Sequence, residues 1–139
     1  MHNGEIELAR YRLSMAKEKL EAAGVLLESK NYKDSVVRSY YAIFTSVRAI
    51  LALDGEDFKR HSGVIQYFQR NYVKTKIFDV RFSKYLDEAF LIRNNTDYAD
   101  FYIVAKEDAE KQYLRAKEFY TEVENYLAER IENGVKITE

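Results

Sequence analysis

The sequence contains no cysteine and no proline, and only two histidines among 139 residues. Without cysteine there is no disulfide, no thiolate metal site and no cysteine nucleophile, a composition that leans toward an intracellular protein. Without proline, the many tight turns of a sandwich or barrel lose a residue that helps to set them, so a helical chain is the natural expectation. Neither His2 nor His61 lies three residues after a glutamate, so the Glu-x-x-His pairs of a di-iron bundle are missing. No zinc, di-iron or other cofactor site is expected. "DGEDFKRHSG", Asp54 to Gly63, has neither the glycine spacing nor the Lys-Ser/Thr ending of a phosphate loop. A net charge of −1 gives no ground for non-specific binding to nucleic acid or a membrane surface. The first residues, "MHNGEIELAR", carry charge where a signal peptide is apolar, and no run reaches the ~18 apolar residues of a membrane span. The expectation is a soluble cytoplasmic protein with no membrane association.

What is present is helical periodicity. With 47% hydrophobic residues in one domain's length, the whole chain, 1–139, reads as a single domain with a single core. Ala9, Leu13, Ala16, Leu20, Ala23 and Leu27 recur at steps of four and three and form one stripe of a first helix. Asn31, with Asp34 three residues on, reads as the N-cap of a second helix to about Leu53. That helix carries Val36, Val37, Tyr40, Tyr41, Phe44, Val47, Ile50 and Leu51 on more than one face, which predicts the central, most buried element. A short third helix from about Ser62 to Tyr72 presents Ile65, Phe68 and Tyr72, and a fourth from about Val80 presents Phe82, Leu86 and Ala89. The last helix, about Ala105 to Ile131, carries Ala109, Gln112, Ala116, Phe119, Val123 and Tyr126 and is expected to stop at Asn133-Gly134. Carboxylates on the first and last helices alternate with Lys and Arg at steps of three and four, as solvated faces do.

Two features depart from a plain bundle. From Lys59 to Lys84 seven Lys/Arg face one acid, and Tyr67, Phe68, Tyr72, Phe78 and Phe82 are interleaved with them. Cations mixed with aromatics are what single-stranded nucleic acid uses, which makes Lys59, Arg60, Arg70, Lys74 and Lys76 candidate phosphate contacts; the alternative is a set of core aromatics with ordinary surface cations. The second feature is "FLIRNNTDYADFY", Phe90 to Tyr102, where the next position on the Phe82, Leu86, Ala89 stripe is Arg93. An unpaired buried guanidinium costs several kcal/mol, so Arg93 needs a partner, and Asp97 one turn on is the natural one. Arg93, Asn94, Asp97 and Tyr98 form the candidate ligand-binding set, with His61 as a residue that could enter from another helix. The competing reading is an arginine at an inter-helix or inter-subunit seam.

"YYAIF" at Tyr40, "RHSGVIQYF" at Arg60, "AFLIRNNTDY" at Ala89 and the closing "AKEFYTEVENYL" resemble, in order and spacing, the small prokaryotic branch of the HEPN superfamily (higher eukaryotes and prokaryotes nucleotide-binding). The resemblance runs from about Glu5 to Ile131. It implies an all-α, antiparallel up-and-down bundle of four main helices plus one short helix, a homodimer, and a minimal nucleotidyltransferase as partner in a toxin-antitoxin pair. Toxins of this family are similar in being metal-independent endoribonucleases built on an arginine, a polar neighbour and a histidine four to six residues after the arginine. Arg93 and Asn94 match the first two, but the third position is Tyr98, and no histidine follows. A tyrosine of ordinary pKa near 10 is a poor proton carrier at neutral pH. Arg93, Asn94 and Tyr98 are thus the catalytic candidates of a variant ribonuclease, while the preferred expectation is a catalytically silent protein that binds a nucleotide, an RNA or a partner protein.

Overall fold

The computed structural model describes residues 2–98 and 100–138, with side chains described through residue 134. Its helices are α1 (Asn3–Glu28), α2 (Tyr32–Leu53), α3 (His61–Phe68), α4 (Val80–Tyr98) and α5 (Lys106–Thr138), with a π-helical turn at Gln69–Val73 directly after α3. Among the described residues there is no strand.

Residue size dictates how α1 and α2 meet. Ala9, Ala16 and Ala23 of α1 are fully buried, and so are Ser35, Ser39, Ala42, Ser46 and Ala49 of α2. Small side chains let the two backbones approach along most of their length, and Ser35 Oγ is close enough to donate to the Ala23 carbonyl at 2.8 Å. Leu13 and Leu20 pack beside the alanines at the edge of the core. The expectation of a central second helix holds: α2 also packs against α5, α4 and α3, and Tyr40, Ile43, Val47, Ile50 and Leu51 are fully enclosed. By length and composition α2 could cross a membrane, but 72% of its most apolar stretch is buried within the bundle, as in the core helix of a helical domain.

Helices α1 and α2 end in the same way. After Glu28 the Lys30 N–H bonds to the Leu27 carbonyl and the Asn31 N–H to that of Leu26; after Leu53 the Gly55 N–H bonds to Ala52 and the Glu56 N–H to Leu51. Both are Schellman closures, which need one residue in the left-handed region. At α2 that residue is Gly55, φ +70, and at α1 it is Lys30, φ 66. Asn31 stands at the N-cap position of α2 yet makes no capping bond; its side-chain amide instead donates to Ser29 Oγ at 2.9 Å.

Two further boundaries, of the third and last helices, differ from the sequence reading, and that of α4 was open. The third helix turns π-helical after Phe68, with Lys74 N–H bonding to Gln69 five residues back, and this wider turn buries Phe68 and Tyr72 together. The Tyr72 hydroxyl then donates to Asp54 at 2.5 Å, beside Tyr67 at 3.0 Å and the Arg130 ion pair at 2.7 Å, so one carboxylate ties the end of α2 to the π turn and to α5. Helix α4 continues through both asparagines to Tyr98. Helix α5 passes the expected stop at Asn133-Gly134 and runs to Thr138, since a glycine inside a helix costs only about 1 kcal/mol and does not oblige it to end.

Candidate functional site

Helix α4 lies antiparallel to α2, with Phe82 packed against Phe78 and Phe119 near one end and Phe90 against Tyr40 near the other. Phe82, Leu86 and Ala89 are buried as expected, and the stripe then delivers Arg93 to the side of α2 with its side chain 19% exposed. Because α4 stays helical, Arg93 and Asp97 form an intrahelical pair, Nε to Oδ2 at 3.0 Å. The approach is not aligned for a hydrogen bond, and Nε is buried without a hydrogen-bond acceptor. Nη1 donates to Asn94 Oδ1 at 3.2 Å and Nη2 to the Tyr41 hydroxyl at 2.8 Å, with the guanidinium carbon 5.6 Å from the Tyr41 ring centroid. Tyr98, at the end of α4, is 79% exposed.

Tyr41 was read from the sequence only as a core aromatic, and it joins Arg93 to His61. The His61 ring packs edge-on to Tyr41, with centroids 6.2 Å apart, and stacks on Phe44 at 4.1 Å. His61 Nδ1 lies 2.7 Å from the Tyr40 hydroxyl. Burial, with Tyr41 beside it, pushes the Tyr40 hydroxyl well above the ordinary tyrosine range, so Tyr40 keeps its proton and is able to donate to Nδ1. Burial first, then the charges of Arg93 and Arg48, hold the His61 imidazole below its ordinary range, so the ring is neutral at pH 7. In the tautomer whose Nδ1 accepts from Tyr40, Nε2 carries the hydrogen, and the ring offers a donor rather than a free base. The signal for this arrangement was the Tyr-Tyr pair on the central, most buried helix, because hydroxyls on a core element must meet polar partners.

The basic segment divides into two places. Lys59 and Arg60 are exposed directly before His61, at the Arg93 end. Lys74 and Lys76 border a cavity with Phe78, Val80 and Ser83, at the other end of α4, 13 residues or about 20 Å from Arg93. Arg70 is exposed on the π turn between them. The interleaved aromatics Phe68, Tyr72, Phe78 and Phe82 are buried core, and Tyr67 is half-buried with its hydroxyl on Asp54 and pushed up to about 12, chiefly by burial. None of these five supplies a stacking platform. Among the described residues no group of three His, Asp or Glu side chains is placed to hold a metal ion.

An arginine, its polar neighbour and an aromatic-histidine pair thus meet at one end of the core of an all-α helical bundle. The HEPN domain family profile matches residues 9–126, and the chain belongs to that family. It is 33% identical over 115 residues to a Methanocaldococcus jannaschii protein whose name marks it as a candidate toxin, covering 83% of this chain and 78% of the relative. A second such protein of that organism is 32% identical over 84% of this chain and 87% of its own length. A UPF0332 protein of Thermotoga maritima is 30% identical over 90% of this chain and 95% of its own length.

Proposed function

We propose that this HEPN-domain protein binds a phosphate-bearing ligand, RNA or nucleotide, at the α2–α3–α4 site and does not cleave it. One observation carries the reading: Arg93 is held by Tyr41 and Asn94 in a partly open position, next to a neutral histidine whose Nδ1 meets the Tyr40 hydroxyl, and with Tyr40 donating the other ring nitrogen is a donor. A cation flanked by neutral donors suits an anionic oxygen. It does not suit ribose cleavage, which needs a group able to take a proton at neutral pH. His61 Nδ1 is occupied by Tyr40, and Tyr98 presents a phenol to solvent where the cleavage pattern has an imidazole.

The names of the Methanocaldococcus jannaschii relatives favour the second reading, a toxin-type ribonuclease with Tyr98 in place of histidine. Both readings require Arg93, so cleavage and not binding separates them.

The test of binding is the double variant Arg93→Met with Asp97→Asn, which removes the guanidinium without stranding its carboxylate. Buried ion pairs exchanged together for neutral groups leave stability nearly unchanged. Thermal unfolding is expected to match the wild type, while fluorescence anisotropy with a labelled single-stranded RNA loses its binding isotherm. Retained affinity in the folded variant would remove Arg93 from the ligand site.

A further inference from the structure

The face of α2 that meets Arg93 continues beyond it. Tyr41, Phe44 and Arg48 stand at steps of three and four, so Arg48 lies on the same face two turns, about 10 Å, from Tyr41. There a cavity of about 370 Å³ opens, lined by Phe44, Arg48, Asp57, Phe58, Lys59 and His61. Its volume lies within the range of small-ligand sites. His61 is the shared wall: it lines this cavity and packs on the Tyr41 that holds Arg93.

The charges in the cavity are unbalanced. Arg48 Nη2 and Arg12 Nη2 both reach the same oxygen of Asp57, at 3.0 and 3.3 Å, and Arg12 Nη1 donates to the Arg48 carbonyl at 3.0 Å. Two guanidiniums and the adjoining Lys59 thus face one lining carboxylate, with Glu56 as the neighbouring acid of the loop. Arg48 Nε is buried and has no hydrogen-bond partner, so the guanidinium retains unused donor capacity. Asp57 is the replaceable member, since its side chain is 48% exposed on a loop. Phe58 leaves an aromatic ring 38% exposed at the rim.

We propose that this cavity is a second subsite, which takes one nucleotide unit: its phosphate displaces Asp57 from Arg48 and Arg12, Lys59 pairs with the same phosphate, and its base stacks at Phe58. The phosphate belongs either to a free nucleotide or to an RNA strand that runs past His61 to Arg93. The subsite rests on the ligand class proposed above, and its residues are separate from Arg93.

The opposite effects of two substitutions test it. Arg48→Gln with Lys59→Gln is expected to weaken single-stranded RNA binding by about tenfold, the worth of a charge-assisted hydrogen bond. Removing two cations from the phosphates should also flatten the slope of log affinity on log salt by about 1.4. Asp57→Asn removes the competing carboxylate and is expected to tighten binding several-fold, whereas a merely structural Asp57 would give weaker binding when neutralised. Uridine monophosphate titrated into the wild type, followed by amide NMR, separates the two sources: saturable shifts at Phe58 and Lys59 that persist in the Arg93→Met, Asp97→Asn variant identify a free-nucleotide site. Loss of RNA affinity in Arg48→Gln, Lys59→Gln without those shifts identifies a strand subsite. Should RNA bind independently of Arg93 but depend on Arg48 and Lys59, the subsite stands and the Arg93 reading fails. The subsite is overturned if Asp57→Asn weakens binding, or if the Arg48→Gln, Lys59→Gln protein binds RNA with unchanged affinity and salt slope and the wild type gives no nucleotide shifts.

Discussion

Arg93 illustrates how far a residue's chemistry can be read before its neighbours are known. A charge in a core register must have partners, and that argument located Asp97 correctly, because four residues on a continuous helix is a fixed distance. Tyr41, 52 residues away in sequence, could not be found by spacing. His61 is similar: the sequence offered it only as a residue that could enter from another helix, and the contacts that bring its ring beside Tyr41, to Tyr40 and Phe44, join residues distant in sequence. Its depressed pKa makes a prediction with a definite sign. The folded protein disfavours His61 protonation relative to the unfolded chain, so the unfolded state takes up more protons as pH falls through about 6.5, and stability falls with it. Urea unfolding at pH 7.5 and 5.5 should therefore show a larger loss in the wild type than in His61→Gln, which has no imidazole to titrate. Equal losses would mean that His61 is as easily protonated in the fold as outside it.

At the level of helices, the periodic stripes were legible in sequence and the ends were less so. The alanine stripe of α1, the apolar residues on more than one face of α2 and the heptad-like face of α5 all emerged where expected, since burial follows periodicity. Termini depend on backbone geometry that single residues only bias: Asn133-Gly134 permits a stop that α5 does not make, and the π turn after Phe68 answers to the packing of Tyr72 against Asp54. The paired closures of α1 and α2 isolate one such bias. Lys30 occupies the left-handed position that Gly55 fills in the equivalent closure, and a side chain there costs roughly 1–2 kcal/mol, part of which glycine returns as unfolded-state entropy. Lys30→Gly is expected to stabilise the protein by about 0.5–1 kcal/mol in chemical denaturation, because strain relief exceeds the entropy cost. A destabilised Lys30→Gly protein would mean that the lysine side chain contributes packing worth more than the strain.

The whole molecule spreads its charge unevenly, and its two basic ends do different things. Lys59 and Arg60 adjoin His61 at the start of α3, while Lys74 and Lys76 follow the π turn at its other end, about 20 Å of helix away, a separation that the contiguous sequence segment concealed. The end of α4 that carries Arg93 also exposes apolar side chains: Leu91 is 60% exposed, and Phe101 and Ile103, just beyond the helix, are 95% and 83% exposed. A homodimer of the kind the family resemblance implies would have these groups available to cover. Light scattering at micromolar concentration should give twice the mass of the 16.4 kDa chain, and Phe101→Asp with Ile103→Asp should return it to one. A monomeric wild type would assign these residues to some other role.

Catalytic silence toward RNA is the central claim, and one gel assay decides it. End-labelled single-stranded RNA is incubated at pH 7 with the wild type and, in parallel, with Tyr98→His, which supplies an imidazole five positions after Arg93 at the exposed end of α4. The account predicts intact RNA with the wild type, because His61 is held as a donor and position 98 carries no imidazole, and strand cleavage only in the Tyr98→His lane. Wild-type cleavage as fast as that of Tyr98→His, and abolished in Arg93→Met with Asp97→Asn, would contradict it and establish the variant ribonuclease instead.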